Sequence, residues 1–141
     1  MILYLDTSAL VKLYVEEVYS NQVIKQVGRA EISATSRIAY VETLAGIARK
    51  LRDGDMSRKE HEVLLGEFEN DWNNFFVVEV TEEICRISRE LLRNHPLRAF
   101  DAIHLASAVL LRRKIKEEVW FSSFDKRLNA AAQAEGLKNA D

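Results

Sequence analysis

Two hydrophobic patterns alternate along the chain. Short apolar runs rich in β-branched and aromatic residues predict strands, and longer segments with apolar residues three and four positions apart predict helices. The predicted strands are Ile2–Leu5, a weaker one near Ile32, Phe75–Val80 and Val119–Phe121. The predicted helices are Ser8–Val15, Tyr19–Val27, Ser36–Arg52, Arg58–Trp72, Glu82–Arg93, Phe100–Arg113 and Lys126–Ala134. This alternation predicts an α/β fold with a mainly parallel sheet that helices cover on both faces.

Several helix boundaries carry their own local signals. The segment Asp53-Gly54-Asp55 ends one helix, and Ser57 with Glu60 forms a capping box for the next. Pro96 stops the helix that ends near Arg93. The residues from 136 to 141 leave room for only a vestigial final strand. We therefore expect a sheet of four or five strands whose last edge is very short or missing.

Length and composition favour one domain over residues 1–141. The chain is 48% hydrophobic and has no repeat or linker-like segment. One cysteine, Cys85, and three histidines exclude a disulfide framework and a structural zinc site. The apolar start is interrupted at Asp6 with no basic segment before it, so we expect no signal peptide. No run approaches membrane-spanning length, so we expect a cytoplasmic protein without membrane association. The net charge of −2 gives no overall nucleic-acid signature.

The first candidate functional residue is Asp6, which follows the strand Ile2–Leu5 directly. Ligands bind at the carboxyl ends of strands in open α/β sheets, so a carboxylate at this place is suited to chemistry. The alternative is an N-cap for the next helix, but Thr7 and Ser8 can also supply that cap. Asp125 repeats the arrangement after the strand Val119–Phe121, with Ser123 two residues earlier, and it too can be an N-cap.

Two further carboxylates lie inside predicted helices. Glu42 is expected at the margin of a core-facing stripe, and its alternative is a boundary glutamate that reaches solvent or pairs with Arg49. The stripe consists of Val41, Leu44, Ala45, Ala48 and Leu51. Asp101 lies in the nearly all-apolar segment AFDAIHLASAVLL, where an unpaired carboxylate costs several kcal/mol, on the order of the penalty for a buried ion. His104, one turn later, is predicted to be a core or rim histidine bonded to Asp101.

Together these four acidic residues suggest a carboxylate cage for a hard divalent metal, because Mg²⁺ prefers oxygen ligands. Arg98, just before the Asp101 helix, is the preferred phosphate contact. The basic residues at helix C-termini need no role beyond offsetting the helix dipole. The aromatic cluster near one helix-to-strand junction, Phe68, Trp72, Phe75 and Phe76, is assigned to the core or to an oligomer interface.

At these residues the chain resembles the PIN domain, and specifically the VapC-type toxins of toxin–antitoxin pairs. The matching motifs are LDTSALVKLY around Asp6, the helix around Glu42, RAFDAIHLASA around Asp101 and FSSFDKRLNAAAQAEGL around Asp125. Two features differ from the usual pattern: Ser123 replaces the more common threonine, and the tail after the last helix is short.

The resemblance implies a three-layer α/β/α fold, a Mg²⁺ or Mn²⁺ site, hydrolysis of RNA phosphodiester bonds, a homodimer and inhibition by a cognate antitoxin. On this basis we expect Asp6, Glu42 and Asp101 to bind the metal directly, and Asp125 to bind it directly or through water. Thr7, Ser8, Ser123 and Arg98 are expected to support the site.

Two other functions remain open from the sequence. A haloacid-dehalogenase-like phosphotransferase would use a strand-terminal aspartate as its nucleophile, but its motif requires a second aspartate where Ser8 stands. A catalytically degenerate PIN-like scaffold that only binds RNA or a protein partner is the non-enzymatic alternative. The presence of all four acidic positions argues against it.

Overall fold

The computed structural model describes residues 1–141 and contains one five-stranded sheet. The strands are β1 (Ile2–Leu5), β2 (Ile32–Ser36), β3 (Phe76–Val78), β4 (Val119–Ser122) and β5 (Lys138–Asn139). Their order across the sheet is β3-β2-β1-β4-β5, and every neighbouring pair is parallel. Strands β2 and β3 lie on one side of β1, and β4 and β5 lie on the other side, so the strand order reverses between β1 and β4. Such a switch point opens a crevice at the carboxyl ends of the strands.

Seven α-helices connect and cover the strands. They are α1 (Thr7–Leu10), α2 (Ser20–Arg29), α3 (Ile38–Arg52), α4 (Arg58–Trp72), α5 (Glu82–Asn94), α6 (Ala99–Ile115) and α7 (Lys126–Ala134). The predicted capping box at Ser57 and Glu60 is present, and Gly54 has the positive φ of 78° expected where α3 ends. None of these helices is both long enough and apolar enough to cross a membrane.

The core consists of two layers, one on each face of the sheet. Alternate residues of β1 enter opposite layers because successive strand side chains point to opposite faces: Tyr4 packs with α5, α6 and α7, whereas Leu3 and Leu5 pack with α1 to α4. All four residues of β1 are buried, as expected for a central parallel strand. The predicted three-layer α/β/α architecture is confirmed.

The predicted vestigial final strand is present: β5 has two residues and pairs with β4 in parallel register. Two local predictions are wrong. The predicted helix Ser8–Val15 is only one α-helical turn, which tightens into a 3₁₀ segment at Val11–Leu13, as helix ends often do. The predicted helix Ser36–Arg52 begins at Ile38, because Ser36 still belongs to β2.

Helix α3 also buries a different face from the predicted one. Its buried residues are Ala39, Thr43 and Ile47, while Val41 is 66% exposed. The apolar pattern of this helix is ambiguous because Val41 and Ala45 are apolar yet lie on the solvent side, and buried Thr43 is polar. The observed rotation leaves Glu42 half-buried and in contact with α1 and α6.

Candidate active site

Asp6 and Ser123 meet because β1 and β4 are neighbours in register. Leu5 pairs with Ser122, so the residues that follow leave the sheet side by side at its carboxyl end. The Ser123 hydroxyl donates a 2.6 Å hydrogen bond to Oδ2 of Asp6. Both side chains are buried, and Asp6 is only 4% exposed. The two strand-end motifs of the sequence therefore form one site.

The other oxygen of Asp6 caps helix α1. Its Oδ1 accepts hydrogen bonds from the Ser8 hydroxyl at 2.7 Å and from the Ala9 amide at 3.0 Å. The expectation that Thr7 or Ser8 supplies this cap is wrong, because Asp6 is itself the N-cap. Burial raises the pKa of Asp6, and the charge of His104 and these hydrogen bonds oppose that rise.

Asp101 lies in the first turn of α6 and is the carboxylate with the least support from its surroundings. Its carboxylate accepts no hydrogen bond that would stabilise the negative charge. Burial raises the pKa of Asp101, and the negative charges of Asp125 and Asp6 raise it further, while His104 and Arg98 act in the opposite direction. Asp6 and Asp125 are therefore each close enough to repel Asp101.

Asp125 is the N-cap of α7. Its Oδ1 accepts hydrogen bonds from the amides of Arg127 at 2.9 Å and Leu128 at 3.1 Å, and its own amide donates to the Ser123 hydroxyl at 3.1 Å. The capping alternative is thus correct for one oxygen of Asp125. The negative charge of Asp125 also raises the pKa of Asp101. Asp125 therefore caps α7 and still lies near Asp101.

Glu42 joins the site through hydrogen bonds to one of its two oxygens. The hydroxyl of Thr7 donates to Oε1 at 2.5 Å, and Nε2 of His104 lies 3.0 Å from the same oxygen. Partial burial acts to raise the pKa of Glu42, but the two hydrogen bonds and the charge of His104 outweigh it, so the pKa lies below its usual range. Glu42 does not pair with Arg49, which was the alternative; its ion-pair partner is His104.

His104 occupies a more central position than the sequence predicts. The predicted bond to Asp101 is wrong: the imidazole contacts Glu42, Thr7 and the Tyr4 hydroxyl, which lies 2.8 Å from Nδ1. Tyr4 lies on the sheet face that α6 covers. Its role was missed at the level of sequence, because no motif marks it; the only signal is that alternate side chains of β1 point toward α6, which carries His104.

The supporting residues divide into two groups. Ser8 and Thr7 are tied to the site, and the Ser8 hydroxyl also accepts a 3.0 Å hydrogen bond from the Phe124 amide, which holds the β4–α7 loop against α1. Arg98 precedes α6 and makes no side-chain capping bond there, although its charge lowers the pKa of Asp101 against the larger opposing effects. Its guanidinium is therefore near enough to Asp101 to act on its charge.

The donor set fits a hard divalent cation. No protein group bonds the carboxylate of Asp101, and one oxygen each of Glu42 and Asp125 accepts no hydrogen bond from the protein, so carboxylate oxygens remain available. Nowhere in the structure do three or more His, Cys, Asp or Glu side chains stand together at the spacing of a metal site.

A model of the PIN domain matches residues 3–134, which include all four carboxylates. The chain belongs to the PIN-domain family. Only the last strand, β5, lies beyond the matched part of this PIN domain.

One curated relative of this PIN-domain chain is Ribonuclease VapC45 from Mycobacterium tuberculosis (strain CDC 1551 / Oshkosh). It is 33% identical over 144 residues, which cover 99% of this chain and 94% of the relative. Ribonuclease VapC49 from the H37Rv strain matches with the same identity and coverage. The PIN-domain chain is therefore similar over its whole length to proteins named as VapC ribonucleases.

Solved structures agree with the PIN fold at lower sequence identity. FitAcB from Neisseria gonorrhoeae has a TM-score of 0.71 and 19% identity, with 99% of this chain and 98% of the other covered. A toxin–antitoxin complex from Klebsiella pneumoniae has a TM-score of 0.61 and 18% identity over 89% and 88% of the two chains. At these identities the likeness supports the fold of the PIN domain.

Proposed function

We propose that this protein is a divalent-metal-dependent ribonuclease of the VapC type and the toxin of a toxin–antitoxin pair. Its full-length similarity to proteins named VapC ribonucleases supports the activity. The observation that carries the proposal is Asp101, a carboxylate with no hydrogen-bonding partner that lies close to Asp6 and Asp125. Carboxylates that repel one another in a partly buried crevice are stabilised by a bound cation.

Asp6, Glu42 and Asp101 would hold Mg²⁺ or Mn²⁺, with Asp125 contributing directly or through water. When bound, the ion would lower the pKa of a coordinated water and offset the charge that develops on the phosphate. The hydrogen bonds from Ser123 and Ser8 hold Asp6 in one orientation. Thr7 holds Glu42, and Arg98 would pair with the phosphate of the RNA.

The two rival functions are less well supported. An aspartyl-phosphate phosphotransferase requires a second aspartate two residues after its nucleophile, and Ser8 stands at that position and donates a hydrogen bond to Asp6. A degenerate scaffold would have no need to keep an unpaired, destabilised carboxylate such as Asp101. Both features favour metal-dependent hydrolysis.

The proposal includes an antitoxin partner, a homodimer and a cytoplasmic location within reach of RNA, with residues 1–141 as one PIN domain. The structure of a toxin–antitoxin complex among the fold neighbours supports the partner. Exposed apolar side chains beside the site, Val41 at 66% and Phe100 at 54%, support a contact between two copies. Light scattering at micromolar concentration tests the dimer, and a monomer with undiminished activity on dilution would reject it.

Cleavage of RNA by the purified protein tests the activity. Cleavage should require Mg²⁺ or Mn²⁺, stop with excess chelator and fall by at least about a hundredfold in Asp101→Asn, since lost transition-state stabilisation of that size is typical of an essential group. Arg113→Gln, an exposed change at the far end of α6, is the matched control and should retain activity. Sequencing the new 5′ ends would identify the cleavage site. Chelator-resistant cleavage, or an active Asp101→Asn variant, would reject the proposal.

A further inference from the structure

A chain of hydrogen bonds crosses the carboxyl end of β1 and joins the two helical layers. It runs from the Tyr4 hydroxyl to Nδ1 of His104 at 2.8 Å, and from Nε2 of His104 to Oε1 of Glu42 at 3.0 Å and Oγ1 of Thr7 at 3.1 Å. Tyr4 is completely buried and His104 is 2% exposed. No other contact of α6 bonds a carboxylate of the opposite layer.

The hydrogen atoms available to these groups determine whether Nε2 of the imidazole donates or accepts. The Thr7 hydroxyl has one hydrogen, which it donates to Glu42, so it can only accept from His104. Oε1 of an ionised glutamate also only accepts. Nε2 of His104 must therefore carry a hydrogen and donate it toward Glu42. The Tyr4 hydroxyl, 2.8 Å from Nδ1, holds the ring in the orientation that turns Nε2 toward Glu42.

These hydrogen bonds restrict the side chain of Glu42, which is long, has several rotamers and is half-buried on α3. Thr7 and His104 both bond Oε1, and Oε2 accepts no hydrogen bond from the protein. One carboxylate oxygen is therefore fixed and the other is left for an external ligand. Outer partners that orient a metal-binding group in this way typically change metal affinity 10–100-fold, by order of magnitude.

We propose that His104, oriented by Tyr4, is a positioning residue that presents Glu42 to the divalent cation. This inference rests on the metal site of the proposed function. In this role His104 acts on the metal site through its hydrogen bond to Glu42, and this distinguishes positioning from a general structural role.

Mn²⁺ binding to the RNA-free protein, measured by calorimetry or electron paramagnetic resonance, tests the inference. His104→Leu removes the donor with little change of volume and should weaken Mn²⁺ binding about tenfold or more. His104→Gln restores an N–H donor toward Glu42 and should stay within about threefold of wild type. The control is His95→Gln, because His95 forms a similar 2.8 Å pair with Glu135 and bonds none of the site carboxylates. It should bind Mn²⁺ like wild type.

A double-mutant cycle separates positioning from loss of structure. In a Glu42→Gln background, His104→Leu should cause no further loss of Mn²⁺ affinity, whereas two independent effects would multiply. Thermal melts of each variant show whether it folds. Because removing a buried imidazole can prevent folding, Tyr4→Phe provides a second route: it deletes one hydroxyl, keeps the ring stacked on Phe121, and should also weaken Mn²⁺ binding only when Glu42 is present.

The outcomes distinguish this inference from the proposed function. Wild-type Mn²⁺ affinity in folded His104→Leu, or in Tyr4→Phe if His104→Leu does not fold, would overturn the positioning role and leave the metal-dependent ribonuclease intact. A loss of equal size with and without Glu42 would also overturn it. Wild-type protein that binds no Mn²⁺ would overturn both proposals.

Discussion

Ser123 and Asp6 are 117 residues apart in the chain, and a 2.6 Å hydrogen bond joins them in the crevice between β1 and β4. The serine hydroxyl also accepts a 3.1 Å bond from the Asp125 amide, so it connects two of the four carboxylate-bearing segments. Its burial and its two bonds make it the link between the first and last motifs of the site.

Ser123→Ala should destabilise the protein and reduce cleavage. It removes a hydrogen bond to a buried carboxylate, which typically contributes about 1.5–3 kcal/mol to the free energy of unfolding. The pKa of Asp6 should rise further, because the Ser123 hydrogen bond acts to lower it. Urea unfolding and RNA cleavage measure the two effects. Ser123→Thr keeps the hydroxyl and should retain activity, so an inactive threonine variant would contradict this explanation.

Asp101→Asn should make the metal-free protein more stable at neutral pH. Folding raises the pKa of Asp101, so its ionised form destabilises the fold, and that cost appears as pH rises above the unfolded pKa of about 3.9. Below that pH both proteins carry a neutral group there, and their stabilities should converge. Urea unfolding in chelator from pH 3.5 to 8 checks the sign. A stability difference that does not grow with pH would contradict the charge repulsion.

Mg²⁺ should raise the melting temperature of the wild-type protein in a concentration-dependent way, because a ligand that binds only the folded state stabilises it by mass action. At a Mg²⁺ concentration of 100 times the dissociation constant, the free energy of unfolding should increase by about 2.7 kcal/mol. Asp6→Asn should show a much smaller rise, because it loses a carboxylate of the site. Equal concentrations of NaCl, matched for ionic strength, are the control for screening.

Lys116→Gly should stabilise the protein by about 1 kcal/mol, because the left-handed conformation is costly for a residue with a Cβ, and should not affect cleavage. Lys116 ends α6 in the left-handed conformation, with φ 57° and ψ 35°, and its side chain is exposed. Glycine adopts this conformation without a Cβ clash. The matched variant Lys116→Val should destabilise, because a β-branched residue is strained there. Thermal and urea unfolding check both changes, and a destabilised glycine variant would show that the lysine has an unseen role.

Induced expression in a bacterial host should stop growth, and Asp6→Asn should abolish that effect because it disables the site. Co-expression of the neighbouring open reading frame should restore growth if it encodes the antitoxin. An inhibitor of this kind can present Arg or Lys side chains, which pair with carboxylates in place of a metal ion. Harmless expression of a wild-type protein with demonstrated cleavage activity would reject the toxin role and leave the ribonuclease.

Local sequence signals were sufficient for the main elements and for the carboxylate positions. β1 could be predicted because four consecutive apolar residues precede a polar segment, and Asp101 could be singled out because almost every neighbour is apolar. The capping box at Ser57 and the end of α3 at Gly54 also depend only on residues a few positions apart. Such signals act within one or two turns of the chain, so the sequence alone reveals them.

The partners of the site side chains depended on the tertiary structure. The sequence placed His104 near Asp101 because they are three residues apart, but the fold directs its imidazole to Glu42 on another helix and to Tyr4 on β1. The exposed face of α3 was likewise decided by packing and not by its apolar pattern. Hydrogen bonds between distant segments depend on strand order, register and helix rotation, and these are properties of the whole packed chain.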